Sequence, residues 1–184
     1  SPAAVKAGEW SHVAAVVQQG QGVTIYVNGQ PVATKENAAD RAAALLERDG
    51  AASGIVNLGG DLRVLGPRPD GSAWSIGIQH PRAPGSTIAS IRLARGALAT
   101  SGDYERFFEV DGKRYCHILN PATGWPVQGW QSISVVAPLC VAAGAMSTIA
   151  LLHEDAAPAF LAGQQVAWLG VDRDGDAIRH GLPA

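Results

Sequence analysis

Short apolar runs broken by glycine and proline dominate the chain, and most of them alternate with polar residues. Strand-like runs cover residues 9–17 and 22–33, and further ones follow from residue 53 onward. Two stretches have helical spacing instead, residues 35–50 and residues 141–153. The pattern therefore predicts many strands and two helices.

The first 33 residues have a strand pattern of their own. Their apolar runs are separated at residues 18–22, and Asn28-Gly29 forms a second tight turn, which predicts a three-stranded antiparallel meander. These thirty or so residues are similar to a laminin-G or concanavalin-like strand repeat, but such a sandwich needs many more strands. We expect either an appendage at residues 1–34 before a domain at residues 35–184, or edge strands for the sheet that follows.

Turn-forming residues concentrate in residues 100–127. Two strand-like runs, YERFFEV and KRYCHIL, flank Asp111-Gly112, which readily adopts the positive φ values of a type I′ hairpin turn. The second run ends at Asn120-Pro121, so a rigid loop is expected after His117. His117 thus lies where a strand gives way to a loop, the usual place for functional groups.

These segments resemble the ApbE family, the FAD:protein FMN transferases. TSGDYERFF is similar to that family's Thr-Ser-Gly-x-Tyr segment, and HILNPATGWPV to its His-Ile-Ile-Asp-Pro-x-Thr-Gly-x-Pro-Val segment, with Asn120 in place of Asp. The resemblance extends to NLGGD and to KENAADR, where Glu36-Asn37 replaces a family Gly-Tyr; the family's Asp-Leu-Gly-Gly just before that segment is absent. It implies an α+β fold, an ApbE-like mixed or antiparallel sheet with packing helices, preceded here by the short meander.

The resemblance also implies a reaction. Members transfer FMN from FAD to a threonine of a partner protein with the help of Mg²⁺, which neutralises the pyrophosphate. His117 could donate a hydrogen bond to a phosphate or shuttle a proton, since an imidazole titrates near neutrality. The resemblance places Lys35 and Leu119 with His117 against FAD. It further implies export to the periplasm. From the residues alone, His117 is equally well explained as a structural side chain in the loop.

The family's metal motif, Ala-Asp-Ala-x-Ser/Asp-Thr, corresponds here to residues 143–148. Gly144 occupies the position of the metal-binding Asp, while Ser147 and Thr148 offer hydroxyls on the same helical face. A run of small and apolar residues is also explained by helix packing alone. We expect this helix to lie beside the loop after His117, the two together forming the walls of a nucleotide cleft.

Composition removes some functional classes and leaves others open. Hydrophobic residues make up 47% and charged residues 16% of the chain, the net charge is −2, and no basic stripe predicts nucleic-acid binding. No apolar run reaches the roughly 18 residues of a membrane span. Cys116 and Cys140 either pair or remain buried thiols. Two alternatives to the transferase stay open: a non-catalytic flavin-binding relative, and a carbohydrate- or protein-binding module.

Overall fold

The computed structural model describes residues 13–18, 22–27, 30–35 and 37–182, with side chains from Asn37 onward. The helices are α1 (Ala38–Arg48), α2 (Cys140–Leu152) and α3 (Ala157–Gly163), with a short 3-10 turn at Glu154–Ala156. The strands are β1 (Val13–Gln18), β2 (Gly22–Val27), β3 (Gln30–Lys35), β4 (Gly54–Leu58), β5 (Asp61–Gly66), β6 (Trp74–Gln79), β7 (Thr87–Leu93), β8 (Gly96–Gly102), β9 (Phe107–Val110), β10 (Lys113–Cys116), β11 (Trp130–Ala137), β12 (Ala167–Asp172) and β13 (Ala177–His180). None of the helices in these ranges has the length and apolar character needed to cross a membrane.

A six-stranded sheet organises the molecule, in the order β13-β12-β11-β8-β5-β4. Every neighbouring pair in it is antiparallel. Helix α1 contacts β4 and β5, and α2 contacts β5, β8 and β11. Ala39 of α1 and Cys140 of α2 pack in one cluster with Ala97 of β8, so both helices cover the same face. The predicted α+β architecture, an antiparallel sheet with packing helices, is confirmed.

The core on the helix face combines large side chains of the sheet with both large and small side chains of α2. Ile133 and Val135 of β11 are fully buried and pack in one cluster with Ala150 and Leu151 of α2. Further along, Ala143 of α2 packs against the sheet in a cluster of alanines. Alanines on facing elements let a helix approach the sheet closely, which brings the polar groups of α2 within reach of β8.

The opposite face is covered by β6 and β7, which pair with each other and not with the large sheet. Ile76, Ile78 and Ile91 of this hairpin are buried against Val64 and Leu98 of the sheet. Sequence patterning identified both strands. Their separation into a second layer is a feature of the tertiary structure.

The N-terminal strands form the predicted antiparallel meander, with β1 paired to β2 and β2 to β3. The predicted turn at Asn28-Gly29 lies outside the described residues, as do the side chains of these strands. The division of the chain at residue 34 stays a prediction.

Both cysteines are free, buried thiols in separate core clusters. Burial raises the pKa of each thiol, and at Cys140 the neighbouring carboxylates of Asp40 and Asp61 raise it further. Both thiols are therefore protonated at neutral pH and serve as small hydrophobic side chains.

Helix α2 begins at a cap supplied from far away in sequence. Its own N-cap residue, Leu139, has no side-chain hydrogen bond. The carboxylate of Asp40 on α1 instead accepts from the backbone N–H of Cys140 at 2.9 Å and of Val141 at 3.0 Å. The Arg63 guanidinium of β5 lies 3.5 Å from the same carboxylate, and both side chains are largely buried. One carboxylate thus fixes the start of α2 against α1 and the sheet.

We expect Asp40→Ala to destabilise the fold by at least about 2 kcal/mol, because it removes a helix cap and leaves the buried Arg63 charge without its acidic partner. The free energy of unfolding in urea measures this. The matched control is Asp174→Ala on the exposed β12–β13 turn, which should change that free energy by less than about 0.5 kcal/mol. Equal effects of the two substitutions would contradict the role given to Asp40.

Candidate functional site

A cleft of about 560 Å³ opens between the C-terminal half of α2 and the loop after β10. His117 and Leu119 line it from the loop, and Thr148 lines it from α2. Ser101 contributes from β8, between the two. The two segments that the sequence analysis expected to lie side by side therefore form the walls of one cleft.

The His117 loop is positioned by the β9–β10 hairpin. Its turn residues Asp111 and Gly112 have φ values of 50° and 74°, as the predicted type I′ turn requires. Both the backbone N–H and Nδ1 of His117 contact the carbonyl oxygen of Arg106, at 3.1 Å and 3.3 Å. A carbonyl only accepts hydrogen bonds, so Nδ1 carries the hydrogen of the neutral ring. Nε2 is then left with a free lone pair.

A tight turn holds the chain after His117. The Asn120 side-chain oxygen accepts from Ala122 N at 2.9 Å, and its backbone oxygen accepts from Gly124 N at 2.8 Å. Gly124 has a φ of 72°, which glycine adopts without strain. The predicted rigid loop is confirmed, and Asn120 acts in it through its own hydrogen bonds. Leu119, beside this turn, is exposed at the cleft.

Three hydroxyls lie together where α2 crosses β8. Ser101 Oγ is 2.8 Å from Ser147 Oγ and 2.9 Å from Thr148 Oγ1. Ser147 is fully buried and also donates to the carbonyl oxygen of Gly144 at 3.0 Å. The structure thus places Thr148 on the cleft wall and Ser147 beneath it.

The predicted metal position at Gly144 has one carboxylate nearby. A Cβ atom built on Gly144 would lie 3.9 Å from Oδ1 of Asp61, the first residue of β5. Among the residues with described side chains, no three His, Cys, Asp or Glu side chains form a group suited to a metal ion. Mg²⁺ needs only one or two protein carboxylates when waters and substrate phosphates complete its octahedral shell. Asp61 supplies one such carboxylate beside Gly144, which meets this minimum.

Lys35 is the last residue of β3, where its backbone pairs with Val23. Its side chain lies outside the described residues, so its predicted contact with a cofactor stays a prediction.

The rim of the cleft carries residues that sequence reasoning did not select. Arg106 and Glu105 line it and are exposed. The adjacent Asp103 is held by a two-point contact with Arg82, at 2.6 Å for both nitrogen–oxygen pairs. Tyr104 packs over Gly102, where any Cβ would come within 2.5 Å of the ring, and burial raises the pKa of its hydroxyl. This anchoring fixes the backbone that presents Arg106 and its carbonyl to His117.

A strand-alternation signal was available for Ser101. Ala97, Ala99 and Ser101 alternate along β8, and each of them contacts or clusters with α2. No local signal marks Arg106.

Comparison with known proteins gives a consistent result. The sequence profile of the ApbE family matches residues 3–169. A FAD:protein FMN transferase of Haemophilus influenzae is 37% identical over 137 residues, which is 72% of this chain and 39% of that protein. The ApbE protein of Thermotoga maritima has the same fold with a TM-score of 0.72 and 36% identity, covering 85% of this chain and 54% of that one.

A flavin transferase ApbE of Vibrio cholerae is similar as well, with a TM-score of 0.64 and 29% identity, covering 77% of this chain and 46% of that one. The chain spans between 39% and 54% of the length of these three relatives. The family match begins before the predicted boundary at residue 34.

The hydroxyl cluster generates a prediction about stability. Ser147→Ala should cost about 1 kcal/mol, because it removes two hydrogen bonds of a fully buried group. Thr148→Val should cost less than about 0.5 kcal/mol, since Thr148 is only half-buried and Ser101 keeps Ser147 as a partner. Urea unfolding of both variants measures the difference, and a larger loss for Thr148→Val would contradict this arrangement.

Proposed function

The chain belongs to the ApbE family, and on that premise we propose that it takes part in transferring FMN from FAD to a threonine of an acceptor protein. One observation carries the proposal: the His117 loop and the Thr148 end of α2 line a single cleft. In this proposal FAD is the substrate, and Lys35, His117 and Leu119 contact it. Family resemblance alone supports the threonine acceptor and export to the periplasm.

The free nitrogen of His117 gives the cleft its chemistry. In the proposed step the threonine Oγ attacks the FMN phosphorus and forms a new P–O bond. The bond from this phosphorus to the bridging oxygen of the pyrophosphate breaks, and AMP leaves with that oxygen on its phosphate. The threonine proton passes to Nε2 of His117, whose Nδ1–H remains directed at the Arg106 carbonyl. A fixed tautomer keeps the accepting nitrogen oriented toward the cleft.

Arg106 and a bound divalent cation would supply positive charge near a pyrophosphate. The exposed Arg106 guanidinium lies on the cleft rim, where it can pair with phosphate oxygens. Mg²⁺, when bound, neutralises the pyrophosphate and the leaving phosphate. Thr148 is the predicted metal-site residue that faces the cleft, while Ser147 orients the neighbouring hydroxyls from beneath.

A non-catalytic flavin-binding relative is the second candidate. It is favoured by Gly144, which provides no carboxylate at the family's metal position. The two candidates differ in whether AMP and a flavinylated acceptor protein are formed.

We expect incubation with FAD, Mg²⁺ and a protein that the Vibrio cholerae relative flavinylates to release AMP and to yield a fluorescent acceptor band. AMP is measured by chromatography and the flavin by in-gel fluorescence. Saturable FAD binding without AMP would leave the non-catalytic relative as the function. Absence of FAD binding would contradict both.

His117→Ala should lower the rate of AMP release by about 10²-fold or more, because it removes the proton acceptor. FAD affinity should change far less, since the remaining cleft wall is intact. His180→Gln is the matched control, because His180 is exposed on β13 and stacks on Trp168 away from the cleft. Rate constants and FAD dissociation constants of the three proteins decide the matter, and an unchanged rate in His117→Ala would rule out its role.

A further inference from the structure

Asp61 lies on the helix face of the sheet, next to the small-residue surface of α2. In the β5–β8 register Leu62 faces Leu98, so the preceding residue Asp61 lies beside Ala99. The Ala99 Cβ is itself 3.8 Å from the Cβ position of Gly144. Asp61 therefore occupies the same layer as Gly144. Thr148 follows Gly144 on the same helical face, with a rise of about 6 Å along α2.

Asn37 fixes the orientation of this carboxylate. Its side-chain oxygen caps α1 by accepting from Ala39 N at 2.9 Å and from Asp40 N at 3.2 Å. The amide can then only point its nitrogen the other way, where Nδ2 donates to Oδ2 of Asp61 at 2.5 Å. This leaves Oδ1 as the oxygen directed toward Gly144.

Two positions at which this chain differs from the family pattern both lie beside Asp61. Asn37 stands where the family has Tyr, and Gly144 stands where the family has Asp. The first holds Asp61 by a hydrogen bond, and the second opens the space that Oδ1 faces. Helix α2 thus has no carboxylate at position 144, and the Asp61 carboxylate of β5 is directed toward the same space.

We propose that Asp61 is the carboxylate ligand of a divalent cation in this chain, replacing the ligand that Gly144 lacks. The inference rests on the proposed function for the presence of the cation and concerns which residue binds it. Asp61 Oδ1 supplies the negative charge, and the hydroxyls of Thr148 and Ser101 supply neutral oxygens on the cleft side. Water and substrate phosphate oxygens complete the six-coordinate shell that Mg²⁺ and Mn²⁺ prefer.

The test uses Mn²⁺ as the probe with the full chain. Bound and free Mn²⁺ are distinguished by electron paramagnetic resonance, with and without FAD. Asp61→Asn keeps the shape of the side chain and an acceptor for Asn37 but removes the charge, and we expect it to weaken Mn²⁺ binding by at least about tenfold, since even outer-sphere partners cost that much. Asp174→Asn, on an exposed turn, is the control and should leave Mn²⁺ affinity unchanged.

Gly144→Asp provides the reciprocal variant. The space at Gly144 admits a Cβ with ordinary contacts of 3.8 Å and 3.9 Å. In the Asp61→Asn background it should restore most of the lost Mn²⁺ affinity, because the carboxylate returns from the other side of the same space. Circular dichroism of each variant verifies the fold.

Every outcome decides the proposal separately from the transferase activity. Unchanged Mn²⁺ affinity in Asp61→Asn, or no Mn²⁺ binding by the unsubstituted chain with FAD present, overturns the assignment even if AMP is released. Mn²⁺ binding that depends on Asp61 supports it even if no AMP is formed. Failure of Gly144→Asp to restore affinity in the Asp61→Asn background places the ion elsewhere and also overturns it.

Discussion

The contact between the Asp40 carboxylate and the first N–H groups of α2 is the constraint on which the rest of the structure depends. It joins two residues about a hundred positions apart in sequence, at 2.9 Å and 3.0 Å. A helix N-terminus carries partial positive charge, and Asp40 neutralises it while pairing with Arg63. Without a cap of its own, α2 takes its starting point from α1, and its direction across the sheet follows from that.

The path of α2 in turn determines what lines the cleft. Small residues at its N-terminal half allow close packing on β8, and the hydroxyls one turn later meet Ser101. The same helix therefore contributes to the hydrophobic core at Ala143 and to the cleft at Thr148. The run of residues 143–148 was open to both a packing and a binding interpretation in the sequence, because one helix has positions in the core and positions at the cleft.

Local signals predicted the elements well. The hairpin at Asp111-Gly112 formed with the positive φ values that its turn requires, and α1 lies within the predicted residues 35–50. Helix α3 was not predicted, because a segment of seven residues with a proline near its start is too short to show a helical repeat of apolar positions. The pairing of β6 with β7 in a separate layer depends on which apolar surface each strand packs against. The alternation of apolar and polar residues along a strand does not show which surface that is.

The residues of the candidate site could be predicted from the sequence only where they belong to a recognisable motif. His117, Leu119 and Thr148 came together as expected, whereas Ser147 is covered by the sheet. The contributions of Asp40, Asp61 and Arg106 depend on contacts across long stretches of sequence. Spacing along the chain gives no information about which charged side chain a folded sheet turns toward a helix.

Asn37 performs two tasks with the two ends of a single amide. The side-chain oxygen caps the start of α1, and the side-chain nitrogen orients the carboxylate of Asp61 on β5. Folding stability and the geometry of that acid are therefore thermodynamically linked at this position. A substitution at position 37 therefore changes the start of α1 and the orientation of the Asp61 carboxylate together.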